Sequence, residues 1–120
     1  MTQSVDGALQ SALRGLSLRQ QVTADNIANA DTPGFRAKVV RFEDKLSAAI
    51  SKGSTSSDLQ PADPVVETAP GQSAKLDGNT VDLDQQLLGM TDTTLRYNAV
   101  ARMLSQRLSL YQEIITDGRG

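Results

Sequence analysis

The chain has 120 residues, of which 38% are hydrophobic and only four are aromatic, so a compact monomeric core would be thinly filled. The net charge of −2 comes without a basic patch, which argues against a nucleic-acid partner. Cysteine and histidine are both absent, which excludes disulfides and removes the commonest general base and metal ligand. We therefore expect much of the apolar surface to be buried against other chains.

The first predicted element is a helix over residues 5–30. Gly7 and Gly15 interrupt it, each at a cost of about 1 kcal/mol relative to alanine. Gly15 either simply weakens the helix or lets a neighbouring helix approach closely. Residues at alternating steps of four and three form a stripe that suits packing against another helix, namely Leu9, Leu13, Leu16, Gln20, Thr23, Ile27 and Ala30.

A turn motif follows at residues 26–35 and should end this helix. Asn29 can take the left-handed conformation that closes a helix, and Thr32 is disfavoured in helical angles because proline follows it. Pro33 and Gly34 fit the two central positions of a type II turn. We expect a sharp bend, with Asn26 and Asn29 fixing the helix register or capping backbone groups. The candidate site residues of this motif are Asn26, Ile27, Ala28, Asn29, Ala30, Asp31, Thr32, Pro33, Gly34 and Phe35.

The middle of the chain has weaker signals. Residues 36–42 are predicted to be extended, and residues 43–51 to form a helix too short to be stable without a partner. Residues 53–79 are rich in Ser, Thr, Gly, Asp and Pro, which is typical of a linker or a loosely packed loop. Val65 and Val66 within it are candidates for a short edge strand.

A long helix is predicted from near Asp82 to Thr116, ending at Gly118 and spanning roughly 50 Å. Asp82, with Gln85 three residues later, resembles a capping box. The helix carries an almost unbroken heptad stripe, which consists of Leu83, Leu87, Met90, Thr94, Tyr97, Ala101, Leu104, Leu108, Tyr111 and Ile115.

Additional apolar residues flank that stripe, with Leu88 and Leu95 on one side and Met103 and Leu110 on the other. A two-stranded coiled coil would leave them partly exposed, so they favour a bundle or a filament wall. The predicted fold is mainly α, with long N- and C-terminal helices as an antiparallel coiled-coil pair and an extended, irregular middle. We expect residues 1–34 and 81–120 to form one domain and residues 35–80 to form the middle segment.

Catalytic chemistry has no convincing basis in the sequence. Asp82 and Asp84 are interpreted as compensation of the helix dipole, and the stretch from Asp77 to Asn79 lacks the ligand spacing of a calcium loop. No nucleophile–base pair or phosphate loop is present. The sequence therefore predicts a protein that is not an enzyme and that uses no cofactor, metal or small-molecule substrate.

Targeting signals are equally scarce. No apolar run approaches 18 residues, and the N-terminus has no basic stretch followed by an apolar segment. We therefore expect neither a membrane span nor a cleaved secretory signal, and another route would have to carry the protein out of the cytoplasm.

Two motifs resemble those of bacterial flagellar axial proteins. Residues 26–35 are similar to the motif that closes the N-terminal helix in that family. Residues 77–84, Asp-Gly-Asn-Thr-Val-Asp-Leu-Asp, precede a long helix that contains Leu95-Arg-Tyr97, and together with the short length they resemble the proximal rod branch. Phe35 stands where tyrosine is common in the family, a change that keeps the ring and loses the hydroxyl.

The resemblance implies a structural subunit of the flagellar basal-body rod. Such subunits pass unfolded through the flagellar type III export channel without a cleaved signal and assemble in the periplasm as a hollow tube that transmits torque and conducts exported subunits. Implied partners are copies of the chain, other rod subunits, the export gate and membrane-ring or rod-adaptor proteins. The residues alone leave a second class open, which is a soluble helical-hairpin adaptor or an export-chaperone-like binding module.

Overall fold

The computed structural model describes residues 2–51 and 63–117. Its elements in chain order are α1 (Thr2–Ala28), β1 (Lys38–Arg41), α2 (Glu43–Ser51), β2 (Val65–Thr68) and α3 (Leu83–Asp117). The molecule is long and flat, measuring 69 × 27 × 14 Å. The first part of the predicted 53–79 loop and the predicted helix end at Gly118 lie outside the described residues.

The two long helices pack against each other in antiparallel orientation, as predicted. Three side-chain contacts at different heights show this direction. The Arg107 guanidinium contacts Asp6 near one end, Gln20 donates to Thr94 near the middle, and Asn26 donates to Gln86 at the other end. The mainly helical fold with packed terminal helices is therefore confirmed.

The face of α3 that packs on α1 differs in part from the predicted stripe. Buried and half-buried residues recur along one side at steps of four and three, at Gln86, Met90, Thr93, Tyr97, Val100, Leu104, Arg107 and Tyr111. The predicted members Leu83, Leu87, Leu108 and Ile115 are instead 44–58% exposed. The side of α3 that contacts α1 is thus rotated about the helix axis, by about one residue position, relative to the predicted stripe. Polar pairs such as Asn26–Gln86 and Asp6–Arg107 require this rotation.

A two-stranded antiparallel sheet lies beside α1. Lys38 pairs with Thr68 and Arg41 with Val65, so the predicted edge strand at Val65 is confirmed. The free edge of β1 is covered by α1 side chains, because Asn26 bonds both backbone groups of Lys38 and Arg19 donates to the Val40 carbonyl at 2.7 Å. The sheet is therefore fixed to α1 through backbone groups that would otherwise be unpaired.

The small core lies between α1, the sheet and α2. Leu16, Val40 and Phe42 are buried there, and Leu46 and Tyr97 pack against them. Leu46 supplies the tertiary contact that the short helix α2 needs. Arg19 lies 4.9 Å above the Phe42 ring and binds Glu43 through both guanidinium amines, at 2.6 and 2.7 Å. This hydrogen bonding lowers the pKa of the Glu43 carboxyl.

Gly15 has a packing role that neither of the two predicted alternatives included. A Cβ at this position would lie 2.5 Å from the ring of Phe42, so the glycine accommodates an aromatic ring and not a neighbouring helix. Gly89 in α3 is different, because a Cβ there would meet nothing within 4 Å.

Exchanging each glycine for alanine should therefore give opposite results. Gly15→Ala should lower the thermal midpoint, since overpacking of this kind costs roughly 1–3 kcal/mol. Gly89→Ala should raise it, since alanine is favoured in a helix by about 1 kcal/mol. Thermal unfolding followed by circular dichroism checks both, and equal shifts for the two variants would contradict the position of Phe42.

Candidate functional site: the junction of two sequence motifs

The end of α1 is closed by backbone turns. None of the described non-glycine residues has a positive φ, so the expected left-handed conformation of Asn29 is wrong. Instead the Ala30 amide donates to the Ile27 carbonyl at 3.2 Å, and the Thr32 amide donates to the Asn29 carbonyl at 3.0 Å. The Asn29 side chain caps the helix by donating to the Asp25 carbonyl at 2.8 Å.

The predicted turn at Pro33–Gly34 is present. The Phe35 amide donates to the Thr32 carbonyl at 3.2 Å, and Gly34 has a φ of 75°. This combination fits a type II turn, which needs a positive φ at its third residue. The turn redirects the chain from the end of α1 toward β1.

Asn79, from the second motif, is the central residue of the junction. It has no exposed surface, and its side-chain amide donates to the carbonyls of Asn29 and Thr32, both at 2.8 Å. Its side-chain oxygen accepts from the Val81 amide at 2.7 Å. One buried side chain therefore holds the first motif against the segment that leads into α3.

Backbone contacts reinforce this link. The Gly34 amide donates to the Asp77 carbonyl at 2.9 Å, and the Thr80 amide donates to the Phe35 carbonyl at 3.0 Å. The Thr80 hydroxyl accepts from the Ala37 amide at 2.8 Å. The two motifs, which are more than 40 residues apart in sequence, therefore form a single hydrogen-bonded unit.

Asn26 extends the unit to the other elements. It is 1% exposed, and its amide donates to the Lys38 carbonyl at 2.8 Å and to the Gln86 side chain at 3.0 Å. Its oxygen accepts from the Lys38 amide at 3.0 Å. Asn26 therefore contacts β1 and α3 at once, so the relative position of three elements depends on it.

The remaining predicted site residues divide into inward and outward groups. Within the motif, Ile27, Ala30 and Phe35 are half-buried, while Ala28, Asp31, Pro33 and Gly34 are exposed. On α1, Leu9 and Leu13 are half-buried and Leu16 is buried; on α3, Ala101 is half-buried. Sequence reasoning missed the pairing of Asn79 with Asn29 and of Asn26 with Gln86. A buried polar partner cannot be deduced from helical periodicity.

A charged cluster joins the helices at the opposite end of the pair. Arg107 donates to Asp6 at 2.6 Å and to the Tyr111 hydroxyl at 3.0 Å, and that hydroxyl donates to Asp6 at 2.9 Å. The hydrogen bond from Arg107 lowers the pKa of Asp6, and the hydrogen bond to Asp6 raises the pKa of Arg107. Sequence reasoning missed this cluster too.

In the part of the chain that the structure describes, no group of acidic side chains is arranged to hold a metal ion. Neither long helix carries, within residues 2–51 and 63–117, an apolar stretch sufficient to cross a bilayer. The buried hydrogen bonds of Asn26 and Asn79 make the candidate site a structural junction that fixes helix geometry.

The amino-acid sequence is similar to the sequences of known proteins. A family model described as flagella basal body rod protein matches residues 8–36. The flagellar basal body rod protein FlgB of Salmonella typhimurium is 33% identical over 98% of the chain and 99% of its own length. The chain belongs to the FlgB family of flagellar basal body rod proteins. The FlgB proteins of Yersinia enterocolitica, 31% identical over 98% of the chain and 100% of their own length, and of Bacillus subtilis, 26% identical over 92% of both, are also similar.

Membership in the FlgB family makes this chain a structural subunit of the proximal rod of the basal body. The prediction that it is not an enzyme is confirmed, because the relatives are structural rod proteins. The matches to FlgB proteins extend over nearly the whole length of both chains, and none of these relatives is named as an adaptor or a chaperone.

Replacing Asn79 should disrupt the junction. Asn79→Ala removes one of the hydrogen bonds to each of the Asn29 and Thr32 carbonyls and leaves the buried Val81 amide without the Asn79 oxygen, and an unsatisfied buried group costs about 1–3 kcal/mol. We expect a loss of at least about 2 kcal/mol in urea unfolding. The exposed Asn98→Ala is the matched control and should change stability little; an equal loss in both variants would contradict the central role of Asn79.

The charged cluster should make the other end of the helix pair sensitive to acid. Because the pKa of Asp6 is lowered from 3.8, its stabilising contribution is present above that pH and is lost as the pH falls through the lower, folded-state pKa. Asp6→Asn should therefore speed hydrogen exchange over residues 5–12 at pH 7, with the difference from the parent chain disappearing in strong acid. The exposed Asp31→Asn removes the same charge and should show no such difference at residues 5–12.

Proposed function

We propose that this rod subunit assembles in the periplasm with copies of itself and with other rod subunits to form a hollow helical shaft. In this proposal the chain leaves the cytoplasm through the flagellar type III system without a cleaved signal. The shaft transmits torque and conducts exported subunits. The subunit also contacts the export gate and membrane-ring or rod-adaptor proteins, as its resemblance to the proximal rod branch implies.

One observation carries the proposal, which is the distribution of polar and apolar residues around α3. The side of α3 that faces α1 includes the polar residues Gln86, Thr93 and Arg107, while large apolar residues lie exposed among polar ones on the sides that face away. Along the described length of α3, nine large apolar side chains are 44–73% exposed, namely Leu83, Leu87, Leu88, Leu95, Met103, Leu108, Leu110, Ile114 and Ile115. A monomer rarely exposes this many large apolar side chains along one helix unless they contribute to binding.

The amount of this surface matches that of a protein interface. A fully exposed leucine side chain presents roughly 100 Å² of apolar area, on the scale on which each Å² buried contributes about 25 cal/mol. Nine side chains about half exposed therefore present on the order of 450 Å² of apolar area. A standard interface buries about 800 Å² per partner, of which somewhat more than half is apolar. Summed over all sides of α3, the exposed apolar area is therefore comparable to that of one standard interface.

The motif junction suits a subunit that carries mechanical load. Asn26 and Asn79 fix the base of the helix pair through buried hydrogen bonds, so the angle between α1, β1 and α3 is set within the subunit. The exposed residues Asp31 and Pro33 then project from a rigid base. We propose that they contact neighbouring subunits there.

A charge placed on the exposed apolar surface should block assembly. Leu108 is 53% exposed, so Leu108→Asp should leave the subunit folded while placing a carboxylate in the proposed contact. We expect loss of swimming in soft agar and absence of the chain from purified basal bodies, with normal synthesis. Ser105→Asp, on an exposed polar position of the same helix, is the matched control and should swim normally. Normal motility of Leu108→Asp would count against this contact.

A further inference from the structure

The strand β2 has every side chain exposed and forms the outer edge of the small sheet. Its partner β1 is different, because the far edge of β1 is covered by side chains of α1. Val65 and Val66 of β2 are 41% and 43% exposed, although valine favours strands because it packs well on a partly buried sheet surface. The strand therefore buries little within the subunit.

The hydrogen bonds of the sheet show which backbone groups of β2 point outward. The Ala69 amide donates to the Ala37 carbonyl at 2.9 Å, and the next pair is Lys38 with Thr68. In antiparallel strands, pairs that exchange hydrogen bonds alternate with pairs that do not. The amides and carbonyls of Thr68 and Val66 therefore point away from β1. Within residues 2–51 and 63–117, no group binds them.

Prolines limit the length of this edge. Pro64 precedes β2 and Pro70 follows it closely, and both continue the outward register of Val66 and Thr68. Proline has no amide hydrogen, so the edge offers outward donors only at Val66 and Thr68. The prolines thus prevent a long edge that would favour aggregation, while a short strand can still pair with it.

An open furrow of about 630 Å³ lies beside the start of β2. Its lining includes Leu13, Leu18, Tyr97 and Pro64. Pro64 and Val66 share one face of the strand, because successive side chains alternate between the two faces. Val66 is paired with the buried Val40, so this face is the one that packs on the core. A strand added to β2 would therefore direct alternate side chains toward the core and the furrow.

We propose that the outer edge of β2 binds an extended segment of a different polypeptide, which becomes the third strand of the sheet. This inference rests on the proposed assembly into a rod and adds how one heterologous partner is held. Extended peptides bind sheet edges through backbone hydrogen bonds, while alternate side chains fill pockets. A two-stranded sheet is also only marginally stable, so a third strand stabilises it.

The two faces of the sheet define the side chains of the bound segment. On the core face, beside Val66 and over the furrow, the segment carries aliphatic or β-branched side chains. On the opposite face it carries polar side chains, because Arg41 and Glu67 form an exposed ion pair there. The partner is therefore an extended strand with alternating apolar and polar residues.

The described strands of a second copy do not fit as this partner. β1 is covered on both edges, by β2 and by α1. Two copies of β2 joined by their outer edges would be related by a two-fold axis, and such a contact closes after two subunits. In the proposed shaft all subunits point the same way, so a two-fold contact does not occur along it. The segment is therefore assigned to another polypeptide.

Replacing Thr68 separates the backbone contact from the side chain. Thr68→Pro removes an outward amide but leaves the hydrogen bonds between β1 and β2 in place, and proline is tolerated on edge strands. Thr68→Val is the matched control, because it keeps the amide and the β-branched shape. In cells that make each variant as their only copy of this chain, we expect several-fold less Thr68→Pro than Thr68→Val in purified basal bodies, with a corresponding loss of swimming.

The thermal midpoint of purified Thr68→Pro should equal that of the unsubstituted chain. Normal recovery and swimming of Thr68→Pro would overturn the strand contact while leaving the rod function intact. Absence of the unsubstituted chain from basal bodies would overturn the proposed function itself.

Hydrogen exchange of the unsubstituted chain tests the same edge without a substitution, and it replaces the first test if Thr68→Pro does not fold. We expect the amides of Val66 and Thr68 to exchange several-fold more slowly in basal bodies than in the free subunit, because they are bonded only in the assembly. Equal rates at these two amides in both states would overturn the contact.

Photo-cross-linking identifies whose segment is bound. The chain contains no cysteine, so Thr68→Cys can be labelled with a benzophenone maleimide and irradiated in basal bodies. We expect an adduct with a different polypeptide, cross-linked at an extended segment of the alternating pattern. An adduct of twice 12.8 kDa that contains only this chain, or no adduct at all, would overturn the assignment.

Discussion

The buried side chain of Asn79 is the interaction on which the rest of the subunit depends. Its amide binds two carbonyls at the end of α1 and its oxygen binds an amide just before α3, so it joins segments nearly 50 residues apart. A buried amide of this kind stabilises only the arrangement in which all its partners are present, because an unpaired polar group is costly away from water. The hydrogen bonds thus specify one geometry, to which hydrophobic burial adds only a small core of Leu16, Val40 and Phe42.

With the base fixed by hydrogen bonds, the two long helices do not need a large apolar interface between them. Their contact includes the Asn26–Gln86, Gln20–Thr94 and Asp6–Arg107 pairs. Polar pairs of this kind set register more strictly than leucines, which pack acceptably in several positions. The apolar residues of α3 consequently remain available on its outer sides, which agrees with membership of a family whose members build a rod.

The sequence was sufficient to predict the helices, the strand at Val65 and the family, but it did not predict which side of α3 faces α1. Apolar spacing predicted both long helices, and β propensity indicated the strand at Val65, because these signals are local. The heptad pattern placed Leu87 and Leu108 against α1, whereas Thr93 and Arg107 lie there instead. Periodicity reports where apolar residues are, and in this chain only some of them, such as Met90, Tyr97 and Leu104, lie where the two long helices meet. The Asn79 contacts could not be predicted either, since a buried amide leaves no periodic signal.

The two ends of the helix pair are held by chemically different groups. The hydrogen bonds of the Asn79 side chain join amides and carbonyls, none of which gains or loses a proton in water, whereas the far end relies on the carboxylate of Asp6. Acid therefore loosens the far end first, and fraying should run from there toward the turn. Because the end at the turn stays fixed, the two helices separate progressively from the far end. The start of α1 is then freed while its last turn is still attached.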